Sequence, residues 1–468
     1  MRLSAPLHAA DRVAGRFRVA LTDPAGCERN VLLALVAYAL LWTLYGTIAK
    51  GSQGLHYDMT ELVAWSRDLS LGYLKHPPLA AFIVWLWFSV FPLAEWSYYL
   101  LAMLMPTVAL WFAWRLSADT LDFEKRVVGL ALLTLIPFFN FHALKFNVNT
   151  VLMPVWAATT FWFLRSYTTR RALYAALAGV GAAACMLGKY WSVFLLAGLI
   201  VAALIDRRRG EYFRSAAPWI TVAVGLVVLS PHLVWLARHD FAPFGYAVGI
   251  HGAKPFVVAL KAVLGYFAGS IGYVAIPLIV VLATVRPSRA AFADIVWPGE
   301  PERRLAAAAF WAPFLLPALG ALASGTEITS LWSMPAWTLL PVLLLSQPSL
   351  TVSAADTRRI LGLAMVVPLI VLIASPVIAI NVQHSGPQPA AAHAQQLAAE
   401  IERAWHELTP LPLRFVDGDP DIAYGIGAYA SERPRALPGM PAPGEAELKR
   451  SGLVRVCFAD DAVCRGAV

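Results

Sequence analysis

The chain has 468 residues, of which 59% are hydrophobic and only 14% are charged. A soluble protein of this length has no means of keeping so much apolar surface from water, so the composition excludes a soluble globular fold and predicts an integral membrane protein. The formal net charge of +8 is interpreted as arginines that face anionic headgroups, with membrane lipids rather than nucleic acid as the partner.

Residues 1–30 form a basic, polar leader, and no small-residue cleavage site follows the first apolar run. This pattern is typical of an uncleaved signal anchor with a cytoplasmic leader. Residues 31–380 are predicted to form an all-α polytopic transmembrane domain, since a helix needs about 20 apolar residues to cross a bilayer core of about 30 Å. About eleven spans are predicted, near 31–49, 96–114, 127–145, 147–164, 172–188, 190–205, 217–236, 257–285, 305–323, 334–347 and 360–380.

Arginine positions orient these spans, because basic loops are retained on the cytoplasmic side. With the leader inside, every predicted cytoplasmic loop contains arginine. The opposite side receives isolated cations, most of them beside aromatic, histidine, asparagine or acidic residues, namely Lys50, Arg67, Lys75, Lys145, Lys189, Arg238 and Lys254. We therefore expect the functional site on the extracytoplasmic side, at the periplasmic face of a bacterial inner membrane.

The first outer loop, residues 50–95, follows the first predicted span directly. Within it, 60–71 is predicted to be a helix that lies flat on the bilayer. Its apolar face is formed by Leu62, Trp65, Leu69 and Leu71. Its charged face is formed by Glu61, Arg67 and Asp68. The apolar stretch 79–93 is interpreted as interfacial or re-entrant, because counting it as a span would invert the arginine pattern of every later loop.

Asp58 is the best candidate for a general base in this loop. A carboxylate at the entrance to an apolar pocket is desolvated, which raises its pKa towards the range that a base needs. The alternative is that Asp58 caps the interfacial helix. Lys75 and His76 precede two prolines, which end a helix and force extended backbone. The two side chains either bind an anionic ligand or are snorkelling groups at the headgroup level.

Beyond residue 380 the composition becomes polar, and residues 381–468 are predicted to form a small extracytoplasmic α/β domain. Its predicted elements are a linker at Gly386, Pro387 and Pro389, a helix over 391–408, and strands at 413–416 and 454–458.

The tail also contains a cysteine pair and an acidic run. Cys457 and Cys464 are spaced to close a short loop, and a structural disulfide is favoured over a metal site because no second Cys or His pair lies nearby. The run Asp417–Gly–Asp419–Pro–Asp421 resembles the Asp-x-Asp motif of nucleotide-sugar enzymes, but an acidic turn explains it better. We predict no metal site from these residues, and the sequence assigns no certain cofactor while leaving a divalent metal open.

The segment from Asp58 to Leu79 resembles the first-loop signature of the protein O-mannosyltransferase-like family. These polytopic GT-C glycosyltransferases also include the aminoarabinose transferases of lipid A and the rhizobial galacturonosyl transferases. The matching positions are Asp58, Trp65, Ser66, Leu69, Leu71, Gly72, Tyr73, His76, Pro77, Pro78 and Leu79. The chain departs from the family at Met59, where relatives have a glutamate, so Glu61 or Asp68 would have to replace that acid.

The resemblance implies transfer of a sugar from a polyprenyl monophosphate to an extracytoplasmic acceptor, usually with inversion. Lipid A or lipopolysaccharide, another glycolipid or glycan, and protein all stay open as acceptors. Asp58 is then the expected base, with Glu61 and Asp68 in support. The departing phosphate calls for fixed cations in a water-poor site. The residues predicted to bind this phosphate are Lys75, His76, Lys189 and Arg238, and those predicted to bind the sugar or acceptor are Tyr57, Asn147, Asn149 and His251.

Other interpretations stay open at this point. Asn147 and Asn149 could equally cap the following span, and Arg238 and His251 could be solvated loop residues. A transporter or flippase of lipid-linked sugars also has many spans with scattered charges, although carriers tend to show internal repeats and no convincing repeat is found in this sequence. A non-catalytic assembly component would explain Met59 as the sign of a lost active site.

Overall fold

The structure is a computed structural model that describes residues 4–252, 254–285, 288–384 and 393–466. Helices dominate it, and the predicted linker at Gly386, Pro387 and Pro389 lies outside the described residues. The α-helices are α1 (Ser4–Thr22), α2 (Cys27–Lys50), α3 (Tyr57–Arg67), α4 (Leu79–Val90), α5 (Glu95–Leu116), α6 (Phe123–Thr134), α7 (Val148–Thr169), α8 (Ala172–Gly188), α9 (Val193–Ile205), α10 (Arg209–Arg214), α11 (Ala217–Arg238), α12 (Ala242–His251), α13 (Phe256–Tyr273), α14 (Ala275–Val285), α15 (Arg289–Val296), α16 (Pro301–Ser324), α17 (Leu340–Leu345), α18 (Ala354–His384), α19 (Ala394–Leu408), α20 (Pro420–Tyr429), α21 (Glu445–Ser451) and α22 (Ala462–Gly466).

Short elements complete the chain. Segments of 3-10 helix lie at Pro137–Phe139, Tyr190–Ser192 and Ser330–Leu339. The strands are β1 (Phe415–Gly418), β2 (Arg435–Ala436) and β3 (Val454–Val456).

Among the described residues, six helices are long and apolar enough to cross a membrane: α2, α5, α11, α13, α16 and α18. Shorter apolar helices, including α8 and α9, occupy several of the other predicted spans. The leader, predicted only as basic and polar, contains helix α1, which packs against α18 and α2. The mainly helical membrane architecture is therefore as expected, with fewer long spans than the predicted eleven.

Two predicted spans are not continuous helices. Helix α6 ends at Thr134 and irregular backbone follows as far as Asn147, because Pro137 has no N–H for a helical bond and the Asn140 side chain donates to the Thr134 carbonyl at 2.9 Å. The predicted span 257–285 divides into α13 and α14, where Pro277 lacks the amide that would bond to Tyr273.

Small residues let the core helices approach closely. At the contact between α8 and α11, a Cβ atom built on Gly225 would lie 3.3 Å from the Gly179 carbonyl oxygen. Helices in lipid gain packing energy in this way, since apolar burial alone does not distinguish a neighbouring helix from a lipid tail.

The first outer loop contains two short helices. Helix α4 has 12 residues, about 18 Å in length, which is too short to cross a bilayer core, as expected for an interfacial or re-entrant segment. Helix α3 begins three residues earlier than predicted because the His56 ring nitrogen accepts a bond from the Asp58 amide at 3.1 Å. The assignment of its faces is wrong in part, since Glu61 is buried whereas Leu69 is exposed.

The tail forms a three-stranded parallel sheet in the order β2-β1-β3, with Val416 aligned with Ala436 on one side and with Val454 on the other. Cys457 and Cys464 are joined by a disulfide, with their Cα atoms 5.8 Å apart. Asp419, in the acidic run, accepts a bond from the Asp421 amide and caps α20.

Helix α20 connects this tail to the first outer loop by packing on α3. The Tyr429 hydroxyl donates to Glu95 Oε1 at 2.6 Å and accepts from the Leu55 amide at 2.6 Å. Arg67 donates to the Gly427 carbonyl at 2.6 Å. The tail is therefore fixed directly behind the helix that contains Asp58.

Charged side chains pair in two separate groups. Residues predicted to be cytoplasmic pair with one another, as in Arg18–Glu124, Arg115–Glu28, Arg165–Asp119, Arg170–Glu211, Arg208–Glu302 and Arg358–Asp11. Residues predicted to be outside do the same, as in Lys75–Glu61, Lys145–Asp58 and Lys254–Glu327. No ion pair found among the described residues joins one group to the other, which is the arrangement that the arginine pattern predicts.

Candidate functional site

A cavity of about 710 Å³ lies where the first outer loop meets the ends of several membrane helices. We call it the central cavity. Its polar lining residues come from five separate parts of the chain and include Asp58, Glu61, Lys75, His76, Asn147, Asn149, Lys189, Tyr246 and His251. Its apolar lining includes Leu62, Tyr190, Trp191, Phe194, Phe244, Ile328 and Trp332. A mostly apolar cavity with a few convergent polar groups is the usual form of a small-molecule site.

Asp58 points into this cavity from the first turn of α3. It accepts a bond from Asn147 Nδ2 at 2.9 Å and lies 3.3 Å from Lys145 Nζ. Burial pushes the pKa of Asp58 upward, but Lys145 and the Asn147 amide outweigh it and hold this pKa below its usual value. The predicted rise is therefore wrong, and Asp58 is ionised at neutral pH. His56, not Asp58, caps the helix.

Glu61 lies one turn further along α3 on the same side. Its side chain is 6% exposed, 3.0 Å from Lys75 Nζ, and it accepts a bond from the Tyr57 hydroxyl at 3.1 Å. Burial raises the pKa of Glu61, and Lys75 only partly opposes this. The site therefore contains two carboxylates in different environments, of which Asp58 is the more readily ionised.

Lys75 and His76 reach the cavity together but differ in charge. Burial lowers the pKa of Lys75, but Glu61 and Asp58 raise it further, so Lys75 is fully protonated. Its ammonium also lies 5.1 Å from the centroid of the Tyr57 ring. For His76, burial and then the nearby Lys189 and Lys75 lower the pKa well below its usual value. The expectation that His76 supplies a cation is therefore wrong, and it faces the cavity as a neutral imidazole.

Lys189 occupies the break between α8 and the 3-10 segment before α9. Its ammonium donates to Asn149 Oδ1 at 3.0 Å and lies 4.5 Å from the centroid of the Trp332 ring. No carboxylate of the described residues lies within 4.0 Å of it. Burial lowers the pKa of Lys189 to about 7. This buried amine without an ion-pair partner is well suited to bind an anion.

Helix α7 brings the two asparagines into the site. Asn147 caps α7 by accepting bonds from the amides of Asn149 and Thr150, while its amide group donates to Asp58. Capping was one of the two predicted uses of Asn147 and is confirmed, whereas its contact with the sugar or acceptor stays a prediction. His251 lies edge-on to Trp332 with ring centroids 5.2 Å apart, and burial together with Lys189 lowers its pKa.

Three predicted site residues, Asp68, Arg238 and Tyr57, do not line the central cavity. Asp68 is ion-paired with Arg435 of the tail, and Arg238 is exposed at the end of α11. Neither is therefore placed to act on a ligand in that cavity. Tyr57 lies behind the lining and contacts Glu61 and Lys75. Of the two acids that could replace the glutamate absent at Met59, the structure brings only Glu61 to Asp58.

Lys145, Trp332 and Tyr246 belong to the site but were not predicted as site residues. Lys145 was predicted only to be an isolated outer cation, and Trp332 stands in the run Trp332–Ser–Met–Pro335 at the start of the predicted span 334–347. Both signals were present, but only the fold shows that these side chains meet Asp58 and Lys189. Among the described residues, no group of three or more His, Cys, Asp or Glu side chains could hold a metal ion.

The likeness to known proteins agrees with this arrangement. The family model described as dolichyl-phosphate-mannose-protein mannosyltransferase matches residues 75–235, which include Lys75, Asn147 and Lys189. The lipopolysaccharide core galacturonosyltransferase RgtB of Rhizobium johnstonii is 30% identical over 218 residues, a match that covers 45% of this chain and 43% of RgtB. RgtA of the same organism, which has the same description, is 25% identical over 440 residues, or 88% of this chain and 83% of RgtA.

A solved structure shows the same fold. ArnT from Cupriavidus metallidurans, bound to undecaprenyl phosphate, aligns with a TM-score of 0.59 at 12% sequence identity, and the alignment covers 85% of each chain. The matched segment spans less than half of RgtB but most of RgtA and ArnT. Residues 75–235 therefore match the family described as dolichyl-phosphate-mannose-protein mannosyltransferase, and the chain is similar in sequence to two lipopolysaccharide core galacturonosyltransferases and in fold to ArnT.

Proposed function

We propose that the chain transfers a sugar from a polyprenyl-phosphate donor to a hydroxyl group of an acceptor outside the cytoplasm. The observation that carries this proposal is that one cavity among membrane helices holds an ionised carboxylate, Asp58, together with the buried amine Lys189 and the charged Lys75. A lipid-linked donor suits this location because its tail stays in the bilayer while only the phosphosugar enters the cavity.

In the proposed reaction, Asp58 accepts the proton of the acceptor hydroxyl as its oxygen bonds to the anomeric carbon of the sugar. The bond between that carbon and the phosphate oxygen breaks, and the polyprenyl phosphate leaves with the electron pair. Attack from the face opposite the leaving group inverts the anomeric configuration. Lys189 and Lys75 stabilise the negative charge that develops on the phosphate, an effect that is strong in a site with little water.

The side chains near Asp58 divide the remaining tasks. Lys145 and Asn147 orient the carboxylate, and Glu61 holds Lys75 in place through a charge-assisted hydrogen bond. Asn149 and His251 lie where the sugar hydroxyls would be placed next to the phosphate.

The names of the relatives indicate the first substrates to try. RgtA and RgtB are described as lipopolysaccharide core galacturonosyltransferases, and the ArnT structure contains undecaprenyl phosphate. We therefore place a polyprenyl-phosphate galacturonate first as donor and the lipopolysaccharide core first as acceptor.

The same proposal places the site on the periplasmic face of the inner membrane. A disulfide in the tail suits an oxidising compartment, and the tail packs on the loop that contains Asp58. The arginine-rich loops, whose ion pairs form a separate group, then face the cytoplasm.

Reconstitution tests the activity directly. Purified protein in liposomes is supplied with a radiolabelled polyprenyl-phosphate sugar and with rough lipopolysaccharide, and the label is followed in both lipids. Label in the acceptor that depends on Asp58 supports the proposal. Movement of the donor between leaflets without transfer indicates a flippase, and neither outcome indicates an assembly component.

A further inference from the structure

A second cavity of about 470 Å³ lies between the first outer loop, the end of α11 and the tail. We call it the tail cavity. Its lining includes Asp68, Ser70, Tyr73, His239, Ala242 and Arg435. These residues have no part in the reaction proposed above. The segment that contains Asp68, Ser70 and Tyr73 nevertheless continues directly into Lys75 and His76 of the central cavity.

The tail cavity and the central cavity are lined by neighbouring residues of one segment. Tyr73 lines the tail cavity, and its amide donates to the carbonyl of His76, which lines the central cavity, at 3.0 Å. Trp65 stacks on Tyr73 at 4.7 Å and lies edge-on to His76 at 6.1 Å, measured between ring centroids. The two cavities share no lining residue, so a ligand in the tail cavity does not occupy the place of the donor.

The distance between the two cavities suits an extended ligand. Asp58 and Asp68 lie at opposite ends of α3, about 15 Å apart along the helix axis. A single sugar is too short to contact both, whereas an oligosaccharide reaches from one to the other. The polar lining of the tail cavity provides a carboxylate, a guanidinium, a hydroxyl and an imidazole, which are the groups that bind sugar hydroxyls and acidic substituents.

The surroundings of the tail cavity are positively charged. Arg435 is ion-paired with Asp68. Arg67 instead donates to the carbonyls of Gly427 and Arg433, and no carboxylate of the described residues lies within 4.0 Å of its guanidinium. Burial and the neighbouring Arg433 lower the pKa of Arg67 to about 10. Arg67 and Arg433 do not line the tail cavity, but they lie close in sequence to its lining residues Asp68 and Arg435 and add positive charge around it, which attracts anions.

We propose that the tail cavity binds the acceptor, an oligosaccharide that carries carboxylate or phosphate groups, and holds it while its terminal hydroxyl reaches Asp58. This assignment rests on the proposed transferase function. It gives the tail a specific task, since Arg435, Gly439, Met440 and Pro441 form one side of the cavity.

The test fills the tail cavity from its exposed side. Ala242→Trp places an indole in the cavity from the first residue of α12, and Ile250→Trp places the same bulk on the same helix at an exposed residue that lines neither cavity. The full chain is reconstituted, and initial rates are measured against rough lipopolysaccharide at saturating donor and against donor at saturating acceptor. We expect Ala242→Trp to raise the acceptor KM by about tenfold or more, the factor for 1.4 kcal/mol, with the donor KM unchanged and Ile250→Trp at wild-type values. An unchanged acceptor KM in Ala242→Trp, or an equal rise in both KM values, overturns the assignment.

A charge variant tests the acidic character of the ligand. Arg433→Glu reverses a charge that acts on the neighbouring Arg67 and should raise the acceptor KM and reduce its dependence on salt. Neither Arg433 nor the control residue Arg450 lines the cavity, but Arg450 is exposed on α21, and Arg450→Glu should change neither quantity. Wild-type values in Arg433→Glu would overturn the assignment of an acidic acceptor.

Binding without chemistry separates the two proposals. The delipidated core oligosaccharide is titrated into protein with Asp58→Asn and into protein with both Asp58→Asn and Ala242→Trp. If Asp58→Asn binds the oligosaccharide and the double variant does not, the result supports acceptor binding in the tail cavity. This holds even if the wild-type protein transfers no sugar and the proposed function fails. Equal binding by both proteins overturns the tail cavity while leaving the transferase proposal intact.

Discussion

Asp58 and Glu61 show how neighbouring side chains acquire different properties. They lie one turn apart on α3. Asp58 is ion-paired with Lys145 and accepts a bond from the Asn147 amide group, whereas Glu61 is buried against Lys75. The pKa of Asp58 is lowered and that of Glu61 is raised. Two carboxylates whose environments separate their pKa values in this way commonly have different tasks in an active site.

Replacement of the proposed base should remove activity without unfolding the protein. Asp58→Asn keeps the size of the side chain and an oxygen that accepts from Asn147, but it loses the charge paired with Lys145 and cannot accept the proton, so we expect turnover to fall about 10²- to 10⁴-fold. The measurement is the initial rate of sugar transfer, with detergent-stable yield as the check on folding. Asp119→Asn, which removes an exposed carboxylate from the opposite group of ion pairs, serves as the control. Near-normal turnover in Asp58→Asn would exclude it as the base.

Lys189 should make donor binding dependent on pH. Its pKa of about 7 in the folded protein lies below the ordinary value of 10.5, so the empty site loses this charge as the pH rises through 7. A bound phosphodiester favours the protonated amine, and the donor Kd should therefore rise above pH 7 by up to about tenfold per pH unit. By the same linkage, the unfolded chain holds this proton up to pH 10.5, so the amine's contribution to stability increases between pH 7 and 10.5.

The matched control is Lys189→Arg, whose guanidinium stays charged throughout this range. Donor affinity is measured at pH 6 and pH 8.5 for both proteins. A flat profile in the wild type, or the same slope in Lys189→Arg, would contradict the assignment of Lys189 to the phosphate.

At the scale of elements, the sequence predicted the presence of helix α3 correctly but the environment of its side chains only in part. The pattern from Asp58 to Leu79 predicted a helix in this loop, but the predicted faces were partly wrong. The prediction assumed that one face of α3 meets lipid and the other meets water. The structure shows that α20 of the tail and the membrane helices cover it from both sides. Burial of Glu61 follows from that cover, which no local pattern could indicate.

The contact between the tail and the first outer loop should depend on one hydroxyl. Tyr429→Phe leaves the buried Leu55 amide and Glu95 without their shared partner, at a cost of about 1–3 kcal/mol. We expect local opening of the tail to become about 5- to 150-fold more frequent, measured as the rate of limited proteolysis under native conditions. Tyr174→Phe on α8, where no hydroxyl bond was found among the described residues, should leave that rate unchanged. Equal rates in both variants would show that the Tyr429 bonds do not hold the tail.

At the scale of the whole molecule, the separation of the charged side chains supports one topology. Five segments predicted to be outside meet in the central cavity, and the predicted cytoplasmic arginines pair among themselves. Broken or short spans explain why eleven spans were predicted whereas six helices of the described residues are long and apolar enough to cross a membrane. Orientation depends on loop charge, whereas counting depends on continuous helices, and Pro137 and Pro277 interrupt two of them.

Cysteine labelling should confirm the two sides. Glu445→Cys on α21 and Thr351→Cys before α18 introduce thiols at exposed positions, while the natural free cysteines, Cys27 and Cys185, are buried. An impermeant maleimide should label Glu445→Cys in spheroplasts and Thr351→Cys only after lysis. Labelling of both before lysis, or the reverse pattern, would contradict the proposed topology.

The sequence by itself determined that this chain is a mainly helical membrane protein, and it predicted the two sides and the chemistry. Apolar runs require lipid, arginine-rich loops predict the cytoplasmic face, and the pattern from Asp58 to Leu79 predicts the reactive loop, because each of these signals is local in the chain. Tertiary structure alone decided that Lys145 and Asn147 lower the pKa of Asp58, that His76 is neutral, and that Asp68 belongs to the tail cavity. Charge state and partnership depend on distances between residues far apart in sequence, and those distances exist only once the helices have packed.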